Sequence, residues 1–159
     1  MKKLLHMTLV LALLLGLSAC AKGGDNDAPP LYGTYHVAAL VEAGAFSEEL
    51  EELDGDTAFM LYKLADYDLE REDLKDCAVQ RSAGATCEEA AVLVFTSADK
   101  AKTAKGALED YVQGQIEANT DYRPAEIPKL EEALVDVRGE TLLLAVANDR
   151  EAVEQTLNG

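Results

Sequence analysis

The 159-residue chain has no tryptophan, two histidines, three cysteines and only 6% aromatic residues. Neither CxxC nor HExxH occurs, so the clustered Cys/His ligands of a structural zinc centre are missing. Basic residues are also scarce: 14 Lys+Arg face 30 Asp+Glu, a net charge of −16. A chain of that sign lacks the clustered cations that bind phosphate backbones, which excludes nucleic acid as a partner. There is no GxSxG nucleophile turn. Ser97-Ala98-Asp99-Lys100 spells SxxK, but the companion SDN and KTG motifs are absent. Ser97 is therefore expected as a helix N-cap, and no catalytic residue is assigned. What is present, 48% hydrophobic and 28% charged residues, is a globular balance. The length suits one domain that hides roughly two-thirds of its unfolded surface.

The longest apolar run, Leu4 to Leu17, follows the positive start Met1-Lys2-Lys3. It is short of the roughly twenty residues that a membrane span needs. Charge, apolar run and small residues form the order of a secretory signal. The run ends in Leu17-Ser18-Ala19-Cys20, which resembles the lipobox of bacterial lipoproteins. That resemblance implies cleavage after residue 19 and a diacylglycerol on the Cys20 thiol, the one covalent group expected and the only cofactor. Two acyl chains anchor stably where one is marginal, at about 0.8 kcal/mol per buried CH₂. Residues 1–19 then read as a lipoprotein signal peptide and 20–30 as the lipidated Cys and a flexible tether of Gly, Asp and Pro. Residues 31–159 read as a single globular α+β domain on the extracytoplasmic face of the cell membrane.

Within that domain, Gly33-Thr34 precede a short helix with Val37, Leu40 and Val41 at i, i+3 and i+4. Gly44 ends it, residues 47–56 are acidic and weakly periodic, and a second helix carries Phe59, Met60, Lys63 and Leu64. Cys77–Arg81 and Ala90–Phe95 read as strands joined by Ser82–Thr86. A long helix over 98–118 has Ala101, Ala104, Leu108, Val112 and Ile116 as its stripe. Tyr122-Arg123-Pro124 stops it, and a helical piece follows near Ile127–Glu131. Ala133–Arg138 and Thr141–Ala147 form a second hairpin across Gly139-Glu140. Asn148-Asp149 open a last helix that ends near Leu157. The expectation is a four-stranded antiparallel sheet of two hairpins, β-β-α repeated twice, with helices packed on one face and N-terminal helices before it.

The order of these features carries a resemblance. Leu61-Tyr62 close a short helix before an acidic connector, and Gly84-Ala85-Thr86 with Glu88-Glu89 lead into a strand. Ser97 opens a long Lys- and Glu-rich helix, then come Tyr122 with Pro124, Lys129-Leu130-Glu131, and Gly139 between apolar strands. Together they resemble the small Gram-positive lipoproteins of the family called domain of unknown function 4358. Cys77 and Cys87 stand where that pattern has ordinary strand and turn residues. The resemblance implies a secreted, lipid-anchored small domain and brings no activity or functional residues with it.

The main anomaly is the segment 42–76, with 13 acids against Lys63, Arg71 and Lys75, a net −10. Asp66-Tyr67-Asp68-Leu69-Glu70 begins like a calcium loop, but Arg71 and Cys77 fall where Gly and Glu are required. A looser acidic face for a partner or cation could use Asp54, Asp56, Asp66 and Asp68; no metal is assigned. Such a field favours cationic partners. His36 is read as a surface or partly packed side chain. Cys77 is expected to pack as a small apolar residue and Cys87 to be a free thiol, because the hairpin register sets Cys77 opposite residues 93–95; a short Cys77–Cys87 bridge is the alternative. The functional expectation is a monomeric, non-catalytic binding or interaction module that engages another envelope protein or cationic partner, with membrane lipid held only through its anchor. The alternative is a carboxylate-based cell-envelope hydrolase. A binding module should show a shallow exposed apolar or acidic patch. A hydrolase should show two acids facing across a partly apolar cleft, one with a raised pKa.

Overall fold

The two most apolar segments become neighbouring central strands of one antiparallel sheet. The computed structural model describes residues 29–159. The leader, Cys20 and nearly all of the tether lie outside the described residues. The elements run α1 (Tyr35–Glu42), β1 (Glu51–Leu53), α2 (Gly55–Leu61), β2 (Leu74–Arg81), β3 (Glu89–Phe95), α3 (Ala98–Asn119), α4 (Ile127–Glu131), β4 (Leu134–Arg138), β5 (Thr141–Val146) and α5 (Arg150–Asn158). Short 3₁₀ turns span Leu64–Tyr67, Arg71–Asp73 and Pro124–Glu126. The strand order is β1-β2-β3-β5-β4, with every neighbouring pair antiparallel.

The sheet has five strands rather than the expected four. The extra strand is β1, whose Glu51, Glu52 and Leu53 pair with Arg81, Gln80 and Val79. Three residues are too few to show alternation, and only Leu53 packs against the core. Two glutamates on a short edge also discourage pairing with a second chain. Because β1 lies between α1 and α2, the segment before the hairpins is not purely helical as expected.

Helices cover both faces of the sheet, not one. Ala91, Leu93 and Phe95 of β3 with Leu142, Leu144 and Val146 of β5 meet Ala101, Ala104, Leu108 and Val112 of α3, joined by Ala58, Tyr62 and Leu130. The opposite parity, Ala90, Val92, Leu143 and Ala145, meets Tyr32, Val37, Leu40, Val153 and Leu157 from the α1 and α5 side. The cause is visible in the strands: AAVLVF and LLLAV are apolar at both parities, and a strand apolar on both faces needs cover on both. Each fully buried leucine contributes about 1.5–3 kcal/mol relative to exposure.

The caps follow the expected chemistry. Ser97 Oγ accepts from Lys100 N at 3.3 Å and Asp149 accepts from Ala152 N at 3.0 Å. Gly139 turns the second hairpin at φ +58, where a side chain would be strained. Cys77 sits opposite Leu93 and both Cys77 and Cys87 are free thiols, each pushed up in pKa mainly by burial. His36 packs between the rings of Tyr32 and Tyr35, with Nδ1 2.9 Å from the Gly33 amide.

Candidate functional site

The end of α2, the Leu64–Tyr67 turn and the middle of α3 enclose a cleft of about 620 Å³. Tyr62, Tyr67, Tyr111, Asp66, Asp110 and Lys63 supply its chemistry, with Gly114 and Gln115 on the α3 wall. The chain turns sharply at each end of the 3₁₀ segment: Lys63 and Asp68 are non-glycine residues at φ 51 and φ 57. This puts Tyr67 over α3, where its ring lies against Gly106 at a distance that a Cβ there would meet at 3.5 Å. The Tyr67 hydroxyl donates to Asp110 across the cleft, and that bond raises the Tyr67 pKa.

Under the cleft lies a buried carboxylate. Glu89 opens β3 opposite Arg81 and Val146 and is 2% exposed. Tyr62 donates to Oε1 and Tyr111 to Oε2, the latter at 2.7 Å. The two rings meet edge to face at 5.1 Å. The nearest cation, Arg81 Nε, is 3.8 Å away. Burial pushes the Glu89 carboxyl up, against the opposing pull of the tyrosine hydroxyls and Arg81. Burial, then the Glu89 charge, drives the Tyr62 and Tyr111 hydroxyls far above their usual range, so both act as donors.

A second polar cluster holds the loop between β2 and β3. Glu88, 1% exposed, accepts from Ser47 N at 2.7 Å, Ser47 Oγ at 2.6 Å and Lys129 Nζ at 2.7 Å. Lys129 also bonds Glu126 at 3.1 Å, and Glu126 accepts from Cys87 N at 2.9 Å. Burial alone would lower the Lys129 pKa; the bonds to Glu88 and Glu126 override it and raise it. Arg123 completes the cluster by donating to the Gly84 and Thr86 carbonyls at 2.8 and 3.1 Å.

The four aspartates marked in the sequence are scattered. Asp54 caps α2, accepting from Asp56 N, Thr57 N and Thr57 Oγ1, and these bonds lower its pKa. Asp56 pairs with Arg71 at 2.6 Å. Asp66 lines the cleft, and Asp68 ends the 3₁₀ turn. Among the described residues no group of three or more His, Cys, Asp or Glu is placed to hold a metal ion. The residues that build the cleft and its floor, Tyr62, Tyr67, Glu89, Asp110 and Tyr111, were not marked as a site. The signal available was Glu88-Glu89 at the mouth of an apolar strand, where paired acids enter a region that must be buried.

The model of the family Domain of unknown function (DUF4358) matches residues 47–147. The chain belongs to this family. The matched segment runs from before β1 to the end of β5, so the DUF4358 region holds all five strands and the entire cleft, while α1 and α5 lie outside it. No curated protein and no solved structure matches the chain.

Proposed function

We propose that this DUF4358 chain is a lipid-anchored extracytoplasmic module that binds, without catalysis, through the cleft between α2 and α3. The observation that carries the binding reading is the state of Glu89. An acid with a raised pKa lies beneath a partly apolar cleft, yet both its oxygens are occupied by Tyr62 and Tyr111. A general acid needs an open path to the bond that it protonates, and here two aromatic rings stand in that path. The remaining cleft acids, Asp66 and Asp110, are exposed. The site is concave rather than the shallow patch expected of a binding module. Its volume and its mix of aromatic and polar walls suit a ligand.

The anchor rests on the Leu17-Ser18-Ala19-Cys20 ending and the spacer after it. Among the described residues no helix is long and apolar enough to cross a membrane; the attachment by acyl chains rests on the Cys20 motif alone. Fatty-acid labelling of cells that express the chain should mark it, and Cys20→Ser should abolish the label and release the protein from membranes. Label that persists in that variant sinks the anchor. Photo-crosslinking from position 115, on the α3 wall, in intact cells should trap a partner or ligand that Gly114→Leu displaces.

The hydrolase reading keeps two observations in its favour, the concave, partly apolar cleft and the raised pKa of Glu89. Incubation with cell-wall glycans separates the two readings. Release of reducing ends that Glu89→Gln abolishes would replace the binding reading.

A further inference from the structure

We propose that the cleft is a receptor site for a small organic cation, an aliphatic ammonium whose charge sits by Asp66 and Asp110 and whose hydrocarbon body lies on Tyr67 and Tyr111. This names the ligand class of the binding module above and rests on that reading. The volume of about 620 Å³ falls inside the roughly 300–1,000 Å³ of small-molecule sites. Three tyrosines line it, and aromatic faces attract ammonium groups within about 6 Å of the ring centre. Of the charged lining residues two are acids and one, Lys63, is basic. The chain's net charge of −16 adds a field of the same sign.

The α3 wall is built to keep this space open. Gly106 and Gly114 lie one turn before and after Asp110, in the interior of a 22-residue helix. Glycine there costs about 0.5–1 kcal/mol relative to alanine. Gly106 receives the Tyr67 ring, and a Cβ at Gly114 would project into open space. Tyr67 reaches across from the turn to Asp110, so its ring closes one side of the cleft and fixes the carboxylate. One oxygen of Asp110 accepts from Tyr67, which leaves the other for an incoming ammonium.

The test is a titration of the purified full chain in mild detergent, followed by NMR of the tyrosine ring protons at about 0.15 M salt to screen the diffuse field. Choline and cadaverine are the cationic probes, pentanediol the neutral one and glutarate the anionic one. The expected result is saturable binding of a cationic probe, with shifts concentrated at Tyr67 and Tyr111. Asp110→Asn should weaken it by about tenfold, equivalent to about 1.4 kcal/mol. Gly114→Leu, at an exposed helix position, should abolish it while the unfolding midpoint stays near that of the parent. Asp121→Asn, an exposed acid outside the cleft lining, should change nothing. Absence of saturable shifts with either cation overturns the proposal, as does equal weakening by Asp121→Asn. Equal or tighter binding of glutarate or pentanediol, lost in Gly114→Leu, overturns the cation assignment and leaves the binding module standing. Chemical conversion of a probe overturns the non-catalytic reading itself.

Discussion

Glu88 and Glu89 are adjacent in the chain and equally hidden from water, yet they are compensated in opposite ways. Glu88 receives the Lys129 ammonium at 2.7 Å and two donors from Ser47. Glu89 receives two neutral phenols, with its nearest cation at 3.8 Å. Strand alternation sends the two side chains in opposite directions. Glu88 points to the 43–48 loop and α4, Glu89 into the layer under α2 and α3. The first is an ion pair that ties three segments together. The second is a carboxyl whose charge the surroundings resist, and burial is the leading cause. Burial alone therefore does not set the behaviour of an acid; the charge of what meets it does.

The largest effect is expected at Lys129. Lys129→Met strands the Glu88 carboxylate in a fully enclosed site, and breaking such a pair from one side costs about 3–5 kcal/mol. Urea unfolding should show that loss as a lower midpoint at unchanged slope. The double variant Lys129→Met with Glu88→Gln should recover part of it, because the fully buried charge is then gone, while Glu126 still lacks its ammonium. A loss under about 1 kcal/mol, as for a surface pair, would place Glu88 on a level with solvated acids and erase the contrast with Glu89.

Removing one phenol beneath the cleft should cost less. Tyr62→Phe leaves one Glu89 oxygen without its donor, about 1–3 kcal/mol for a buried unsatisfied group. Tyr111→Phe should cost less than Tyr62→Phe, because Tyr111 is only half-buried and water can replace its hydroxyl. The reverse order would mean that the cleft side, not the core side, holds Glu89.

Glu89 should also leave a mark on the pH dependence of stability. Its folded pKa lies above the ordinary carboxylate value, so between those two points the folded chain binds the proton more tightly than the unfolded one. Stability from this group is therefore lost as pH rises from the ordinary value, 4.5, through the folded pKa. Asp54, Asp73 and Glu48 act with the opposite sign. Their lowered pKa values give stability that is present above the ordinary range and lost as pH falls. Those groups are common to the parent and to Glu89→Gln, so they cancel in the difference. Glu89→Gln should gain stability relative to the parent as pH rises through that window. The gain should be about 1.4 kcal/mol for each tenfold by which folding tightens the hold on the Glu89 proton. A difference that stays flat with pH would show that Glu89 titrates as an ordinary acid.

The same contrast explains what was legible in the sequence. Caps, helix stripes and the two hairpins are local, and Ser97, Asp149, Gly139 and the α3 stripe could be read from spacing alone. The Cys77 register followed from the length of the first hairpin. The edge strand β1 was hidden because three residues carry no period, and its partner is set by Arg81, Gln80 and Val79 at a distance. The two-sided helix cover was written in the strands, as apolar residues at both parities, but alternation invites a one-sided reading. The site was least legible. Tyr62, Glu89 and Tyr111 come from three separate elements, and a buried glutamate with phenol partners looks like any other acid in a chain that has 30 of them. The acidic segment drew attention by its density. Of its aspartates, Asp54 caps α2, Asp56 meets Arg71, Asp73 meets Lys100, and only Asp66 reaches the cleft.

Arg81 tests how far the contrast extends and should have the smallest effect. Its Nε lies 3.8 Å from Glu89 Oε2 and its side chain is 33% exposed. At that distance and exposure the pair should contribute about 0–1 kcal/mol, well below Lys129. Arg81→Met should therefore move the unfolding midpoint least at the acid end of the range, where Glu89 holds its proton most in the folded state. The variant should lose ground as pH rises, because Arg81 is one of the groups that lowers the Glu89 pKa. Without that guanidinium the window over which stability falls should widen upward. Unfolding curves of the parent and Arg81→Met at pH 5 and pH 8 give this directly. A large loss at both pH values would make Glu89 a second charge-paired acid like Glu88. A growing loss confined to the higher pH keeps it a carboxyl held by phenols, with arginine as a distant modulator.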